Sequence, residues 1–225
     1  MKMSKPTENA MLYRKTVIVT LLLLCTGWTL TASAQNTIES IRKTYQSVKE
    51  GIAQMSEDFP SEGIPPEYYH LRVLQNLPGT GGHEENIRMY YGELESEEEG
   101  DSYPPHYLRF ATAKYNYAAR EFYEEYLYDD KGQVMFIYVL TPDVTLGEVW
   151  PYELRMWFDG KRLLRFNAKK FDGTATYFDI NTLKKGSFKD EYTGKTIPEK
   201  FSDEVNRCKK SAQNKLKLFK AIDNR

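Results

Sequence analysis

The densest run of aromatic and aliphatic positions after the leader is Phe122 to Leu140, broken once at Asp130-Lys131-Gly132. Such a break is a three-residue hairpin loop, with glycine at the left-handed position. It sets Asp129 opposite Gln133. Counting outward pairs Tyr128 with Val134, Tyr126 with Phe136, Glu124 with Tyr138 and Phe122 with Leu140 on one face. The other face then pairs Leu127 with Met135, Glu125 with Ile137 and Tyr123 with Val139. Side chains alternate between faces along a strand, so both faces read as largely apolar. A competing helix over Ala118 to Leu127 has residues at helical spacing, but aromatic residues favour strands and the turn leads straight into one.

Around this hairpin the pattern predicts five more strands. Asn86 to Leu94 pairs with Tyr107 to Tyr115 across an acidic loop, and Tyr152 to Phe158 pairs with Lys161 to Ala168 about Asp159-Gly160. In that second hairpin Phe158 faces Lys161, Trp157 faces Arg162 and Met156 faces Leu163. Thr174 to Asp179 is a last strand, while residues 67–82 and 181–198 read as irregular or loop. Asn36 to Met55 is a helix with an apolar stripe through Ile38, Ile41, Tyr45, Val48, Ile52 and Met55. Prolines 60, 65 and 66 end it in a linker. A final helix, capped by Ser202 and running to about Ile222, carries Phe201, Val205, Cys208, Ala212, Leu216 and Phe219 on its apolar side. The predicted fold is α+β: a bent antiparallel meander of about six or seven strands with N- and C-terminal helices packed on it.

The first 34 residues are set apart from this domain. Lys2, Lys5, Arg14 and Lys15 precede the apolar run Val17 to Leu24, and Ala32-Ser33-Ala34 gives small residues ahead of Gln35. This is the pattern of a cleaved secretory signal peptide, with either Met1 or Met11 as the start. It predicts a single domain over 35–225 in the periplasm or medium, with no stable membrane insertion after cleavage. Cys25 follows four leucines rather than a small residue, which argues against a lipid anchor. Cleavage leaves 27 basic and 31 acidic residues, a net charge of −4 that gives no support for nucleic-acid binding. Only Cys208 survives it, so no internal disulfide and no multi-cysteine zinc site can form.

Candidate chemistry is sparse. The glycine-rich stretch Asn76 to Gly82 lacks the Gly-Lys-Ser/Thr of a phosphate loop and is followed by Glu84 and Glu85. The acidic loop from Glu93 to Asp101 lacks the spacing of a calcium loop. His70, His83 and His106 have no partner at metal-ligand spacing. No nucleophile elbow occurs, and Cys208 sits on an apolar helix face. Glu124 and Glu125 are strand neighbours that face opposite ways, each expected to meet an arginine such as Arg120 or Arg155. No catalytic residue, metal or cofactor is predicted.

Three phrases carry a family resemblance: Tyr-Asn-Tyr-Ala-Ala-Arg-Glu-Phe-Tyr-Glu-Glu-Tyr-Leu-Tyr-Asp (115–129), Asn-Leu-Pro-Gly-Thr-Gly (76–81) and Phe-Asp-Gly-Lys-Arg-Leu-Leu-Arg-Phe (158–166). They resemble small exported proteins of Bacteroidota whose function is unknown. The resemblance implies export and supplies no catalytic residue. The leading expectation is a non-enzymatic periplasmic or secreted protein that binds an unknown small-molecule, glycan or protein ligand. Its candidate ligand-binding residues are Glu124, Tyr126, Tyr128, Phe136 and Tyr138, on the tyrosine-rich face of the central hairpin. The alternative is a hydrolase or isomerase using Glu124 as a lone carboxylate in a sheet-lined cavity.

Overall fold

The computed structural model describes residues 37–55, 67–95, 104–142, 151–172 and 187–223, the side chain of Asp190 excepted. The predicted leader and cleavage site, the predicted Asn36 cap, the proline linker, the acidic tip at Glu97-Glu98-Glu99 and the predicted strand from Thr174 lie outside these residues. Helix α1 covers residues 37–54. The chain divides into Met1–Arg42 and Lys43–Arg225. Of the first unit only the opening of α1 is described; the remainder of α1 and all the other described residues belong to the second.

Eight strands form one open antiparallel sheet, in which spatial order repeats chain order. They are β1 (Tyr68–Leu77), β2 (Gly81–Glu93), β3 (His106–Tyr117), β4 (Arg120–Tyr128), β5 (Val134–Thr141), β6 (Tyr152–Asp159), β7 (Arg162–Phe171) and β8 (Phe188–Gly194). A turn Glu199–Phe201 leads into helix α2 (Ser202–Ile222). The α+β class and the antiparallel sheet stand. The count rises from six or seven to eight or more, because β1 and β8 occupy stretches that read as irregular or loop.

The reason is local. In β1, Leu74 is exposed beside Arg72, Gln75 and Asn76, so polar residues hide the alternation. The glycine-rich stretch is the tight turn of the β1–β2 hairpin. Gly79 and Gly81 take φ of 80° and 81°, and the Thr80 amide donates to the Leu77 carbonyl at 3.1 Å.

The central turn forms as the sequence predicts. Gly132 has φ 76°, and the Asp129 amide donates to the Gln133 carbonyl at 2.9 Å. The Asp129 carboxylate also accepts the amides of Lys131 and Gln133, at 3.0 and 2.7 Å. Tyr128 faces Val134, but a bulge beside Leu127 and Tyr128 then moves the register by one residue. Beyond it Tyr126 faces Ile137, Glu125 faces Tyr138 and Glu124 faces Val139. The predicted pairing of Tyr126 with Phe136 and Glu124 with Tyr138 is thereby overturned. One extra residue in a strand exchanges the faces of everything past it. In the β6–β7 hairpin the register differs from the turn onward: Asp159 faces Arg162 and Phe158 faces Leu163 rather than Lys161, and after a bulge Trp157 faces Arg165 rather than Arg162 and Met156 faces Phe166 rather than Leu163.

The two described helices pack on the sheet, one on each face. Under α2 the core runs from Met89, Ala111 and Tyr126 through Ile137 and Leu154 to Phe166, against Val205, Cys208, Ala212 and Phe219. On the other face Tyr45 of α1 packs edge-on against Phe110 and Phe136, at 6.0 and 4.9 Å between ring centroids. Ser202 is the first residue of α2 and not its cap; Phe201 takes the cap position with no side-chain cap bond.

Candidate functional site

The bulge decides what becomes of the predicted ligand-binding residues. Glu124, Tyr126 and Tyr128 remain together, buried beneath α2. Phe136 is buried on the opposite face with Leu127, and Tyr138 is half-buried there beside Glu125. The five do not share a face. The hydroxyls of the buried tyrosines are all engaged: Tyr128 donates to the Ala212 carbonyl at 2.8 Å, and Tyr126 donates to Glu124. The tyrosine face of the hairpin is filled core rather than an open surface.

Glu124 is the centre of that core. Its carboxylate has no exposed surface, yet four donors meet it. Oε1 accepts from Tyr115 at 2.7 Å and from Arg207 at 2.6 Å, while Oε2 accepts from Tyr126 and from Ser211 at 3.2 Å. Lys215 Nζ stands 3.6 Å from Oε2. Burial pushes this carboxyl up, but Arg207, Lys215 and the tyrosine hydrogen bonds outweigh it and hold the pKa at about 2. Tyr115 and Tyr126 are pushed the other way, above the ordinary phenol range, by burial first and then by Glu124. A carboxylate offers about four lone-pair sites. With four donors in place, Glu124 can take a proton from a substrate only by giving one of them up. The expected arginine partners Arg120 and Arg155 are replaced by Arg207, whose Nε and second amino group also bind both oxygens of Glu204, at 2.8 and 2.7 Å. Arg155 lies beside Glu153 instead, at 2.9 Å.

Glu125 mirrors this arrangement on the opposite face. It accepts from Tyr45, from Tyr123 at 2.6 Å and from Lys49 at 2.7 Å. Two adjacent glutamates of β4 thus anchor one helix each. Cys208 is buried, and burial followed by Glu204 raises its thiol pKa well above the ordinary value, so the thiolate is disfavoured. Among the described residues no three His, Cys, Asp or Glu side chains gather as a metal site. No helix of the described residues is long and apolar enough to cross a membrane.

One open space lies next to the Glu124 network. A cleft of about 380 Å³ separates α2 from the ends of β2 and β3. Its helix wall is Arg207, Lys210, Ser211, Asn214, Lys215 and Leu218, and its sheet wall is Glu85, Ile87, Tyr115 and Tyr117. The helix residues recur every three or four positions, so one stripe of α2 faces the cleft while the neighbouring stripe faces the core. Tyr115 and Tyr117 are two apart on β3 and share a face. Tyr115 stacks on Phe122 at 4.9 Å and is buried, while Tyr117 stacks on His83 at 4.9 Å and is 45% exposed.

The turn after Tyr117 is strained. Ala118 has φ 52°, the one positive value among the described non-glycine residues. A left-handed alanine costs about 1–2 kcal/mol and persists where its surroundings over-determine it. Asn116 supplies that restraint. Its Nδ2 donates to the carbonyls of Ala118 and Gly82, both at 3.0 Å, and its Oδ1 accepts the Glu84 amide at 2.8 Å. His83 Nδ1 donates to the Asn116 carbonyl at 2.5 Å.

None of Tyr117, Asn116, Arg207, Ser211 and Asn214 was a predicted site residue. The spacing of Arg207, Lys210, Asn214 and Leu218 along α2 is a signal for the helix wall alone; Asn116 and Tyr117 on β3 carry none. Compared with family models, curated proteins and solved structures, the chain matches none.

Proposed function

We propose that this is an exported, non-enzymatic binding protein whose ligand occupies the cleft between α2 and the ends of β2 and β3. One observation carries the reading: the cleft is open, but the charged groups behind it are already matched. Arg207 is held by Glu204 and Glu124, and Lys215 lies against Glu124. Acid–base catalysis needs a group with an available lone pair or a proton poised near neutral pH. Glu124, the lone-carboxylate candidate, has neither. Binding needs only shape, an apolar surface and a few convergent polar groups, which the cleft offers at the lower end of the roughly 300–1,000 Å³ of small-molecule sites.

The test is a ligand-observed NMR screen of the protein purified without its leader. Ligand signals should broaden on binding and recover in Asn214→Ala, since Asn214 is an exposed cleft residue of α2. A chain that binds nothing, or binds identically in Asn214→Ala, removes the cleft reading. Export has a separate test. Mass spectrometry of the secreted or periplasmic protein should give an N-terminus at or near Gln35, and a retained leader or a lipid on Cys25 would reject it.

A further inference from the structure

Resting on that reading of the cleft, we infer that its ligand is a neutral saccharide, with one sugar ring stacked on Tyr117. Three observations converge on this chemistry. The first is the aromatic platform. Tyr117 is 45% exposed although His83 stacks on it at 4.9 Å with the rings 15° apart, and Tyr115 and Phe122 meet it edge-on, each at 5.7 Å. A backed tyrosine presents a rigid apolar plane with a polar tip. The C–H face of a pyranose ring is flat and apolar, while its rim carries hydroxyls that both donate and accept.

The second is the opposite wall. Asn214 supplies an amide, Lys210 donates, and Glu85 across the cleft accepts, while the Ser211 hydroxyl already donates to Glu124 and accepts from Lys215. This mixture suits hydroxyl groups. A phosphate or carboxylate ligand needs uncommitted cations, and Arg207 and Lys215 are committed to Glu204 and Glu124. Lys210 and Glu85 balance one another, which leaves the cleft close to neutral.

The third is the strain. Ala118 holds φ 52° directly after Tyr117, and Asn116 ties that turn to β2 through Gly82 and Glu84. Strained residues concentrate where a side chain must be placed, and the turn fixes the tyrosine before any ligand arrives. A pre-placed ring avoids the ordering cost that weakens binding of small polar ligands.

The experiment uses the leaderless chain and two defined panels in saturation-transfer NMR. One panel holds neutral oligosaccharides of glucose, mannose, galactose and N-acetylglucosamine; the other holds uronic acids, amino acids, aromatic acids and nucleosides. The hits are then titrated by calorimetry against Tyr117→Ala, Tyr117→Phe and Asn214→Ala. The inference expects a neutral oligosaccharide hit, weakened tenfold or more in Tyr117→Ala and less than threefold in Tyr117→Phe. Unchanged thermal melting of Tyr117→Ala separates lost binding from lost folding. Hits confined to the second panel and weakened in Asn214→Ala overturn the saccharide and leave the cleft reading standing. A saccharide that binds Tyr117→Ala as tightly as the parent overturns the platform. Silence in both panels overturns the saccharide and the cleft together.

Discussion

Replacing each glutamate of the Glu124-Glu125 pair by glutamine should give two very different losses, although the residues are adjacent and both carboxylates are buried. The difference lies in what each leaves behind. In Glu124→Gln the Arg207 guanidinium keeps its two bonds to Glu204, at 2.8 and 2.7 Å. Lys215 has no such reserve. Its side chain is 6% exposed, and without the carboxylate it keeps Ser211 at 2.8 Å and the Tyr126 ring at 5.1 Å. A buried cation that loses its counter-charge typically costs about 3–5 kcal/mol. The amide group of glutamine also points a donor at donors. In Glu125→Gln the stranded cation is Lys49, whose side chain is already 37% exposed and can turn into water. What remains is the weakening of two tyrosine hydrogen bonds, about 1–2 kcal/mol. Urea unfolding at pH 7 reads both, with the midpoint moving and the slope unchanged. Losses within about 0.5 kcal/mol of each other, or a larger loss at Glu125, would refute the reasoning, because burial alone and not the partners would then set the cost. Adding Lys215→Met to Glu124→Gln should recover part of the loss, as a coupling between neighbours.

Acid should act through the same carboxylate. Glu124 titrates near 2 when folded against an ordinary 4.5, so its stabilisation is complete above pH 4.5 and drains away as pH falls toward 2. The shift is worth about 3 kcal/mol, and stability curves of Glu124→Gln should be flatter over that window. Ile137→Ala empties a fully buried site under α2 and should cost about 2–5 kcal/mol, whereas Tyr138→Ala, half-buried on the other face, should cost less by chemical denaturation. Ala118→Gly relieves φ 52° and should stabilise the fold by about 0.5–1 kcal/mol in thermal melts; destabilisation would show the alanine methyl to be packed rather than strained.

The sequence made the α+β class, the central turn and the extent of α2 readable because each rests on a local signal. Gly132 needed its positive φ, and the apolar stripe of α2 repeats for five turns. What escaped was non-local or lacked a marker. The bulge beside Leu127 carries no glycine or proline, yet it exchanged the faces of Phe136 and Tyr138 and scattered the predicted site. The β3–β4 hairpin turns through Ala118 and Ala119, residues that ordinarily signal helix, so the turn was invisible. The partners of Glu124 lie 83 and 91 residues away in the chain, and no spacing rule reaches that far. The cleft inherits this difficulty: its two walls come from β2–β3 and α2, and half of it looks like an ordinary polar helix stripe.

The meander order has a kinetic meaning. Each described strand pairs with its neighbours in chain order, so the sheet can grow strand by strand as the chain emerges, with no crossover to close. The helices obey a different schedule. Glu125 meets a lysine 76 residues upstream, already made, whereas Glu124 waits for an arginine 83 residues downstream, made later. Until α2 packs, Glu124, fully buried in the fold, lacks both of its cationic partners. Closing its face of the sheet without α2 would bury an unpaired carboxylate, so the helix is a requirement for closure rather than an addition to it.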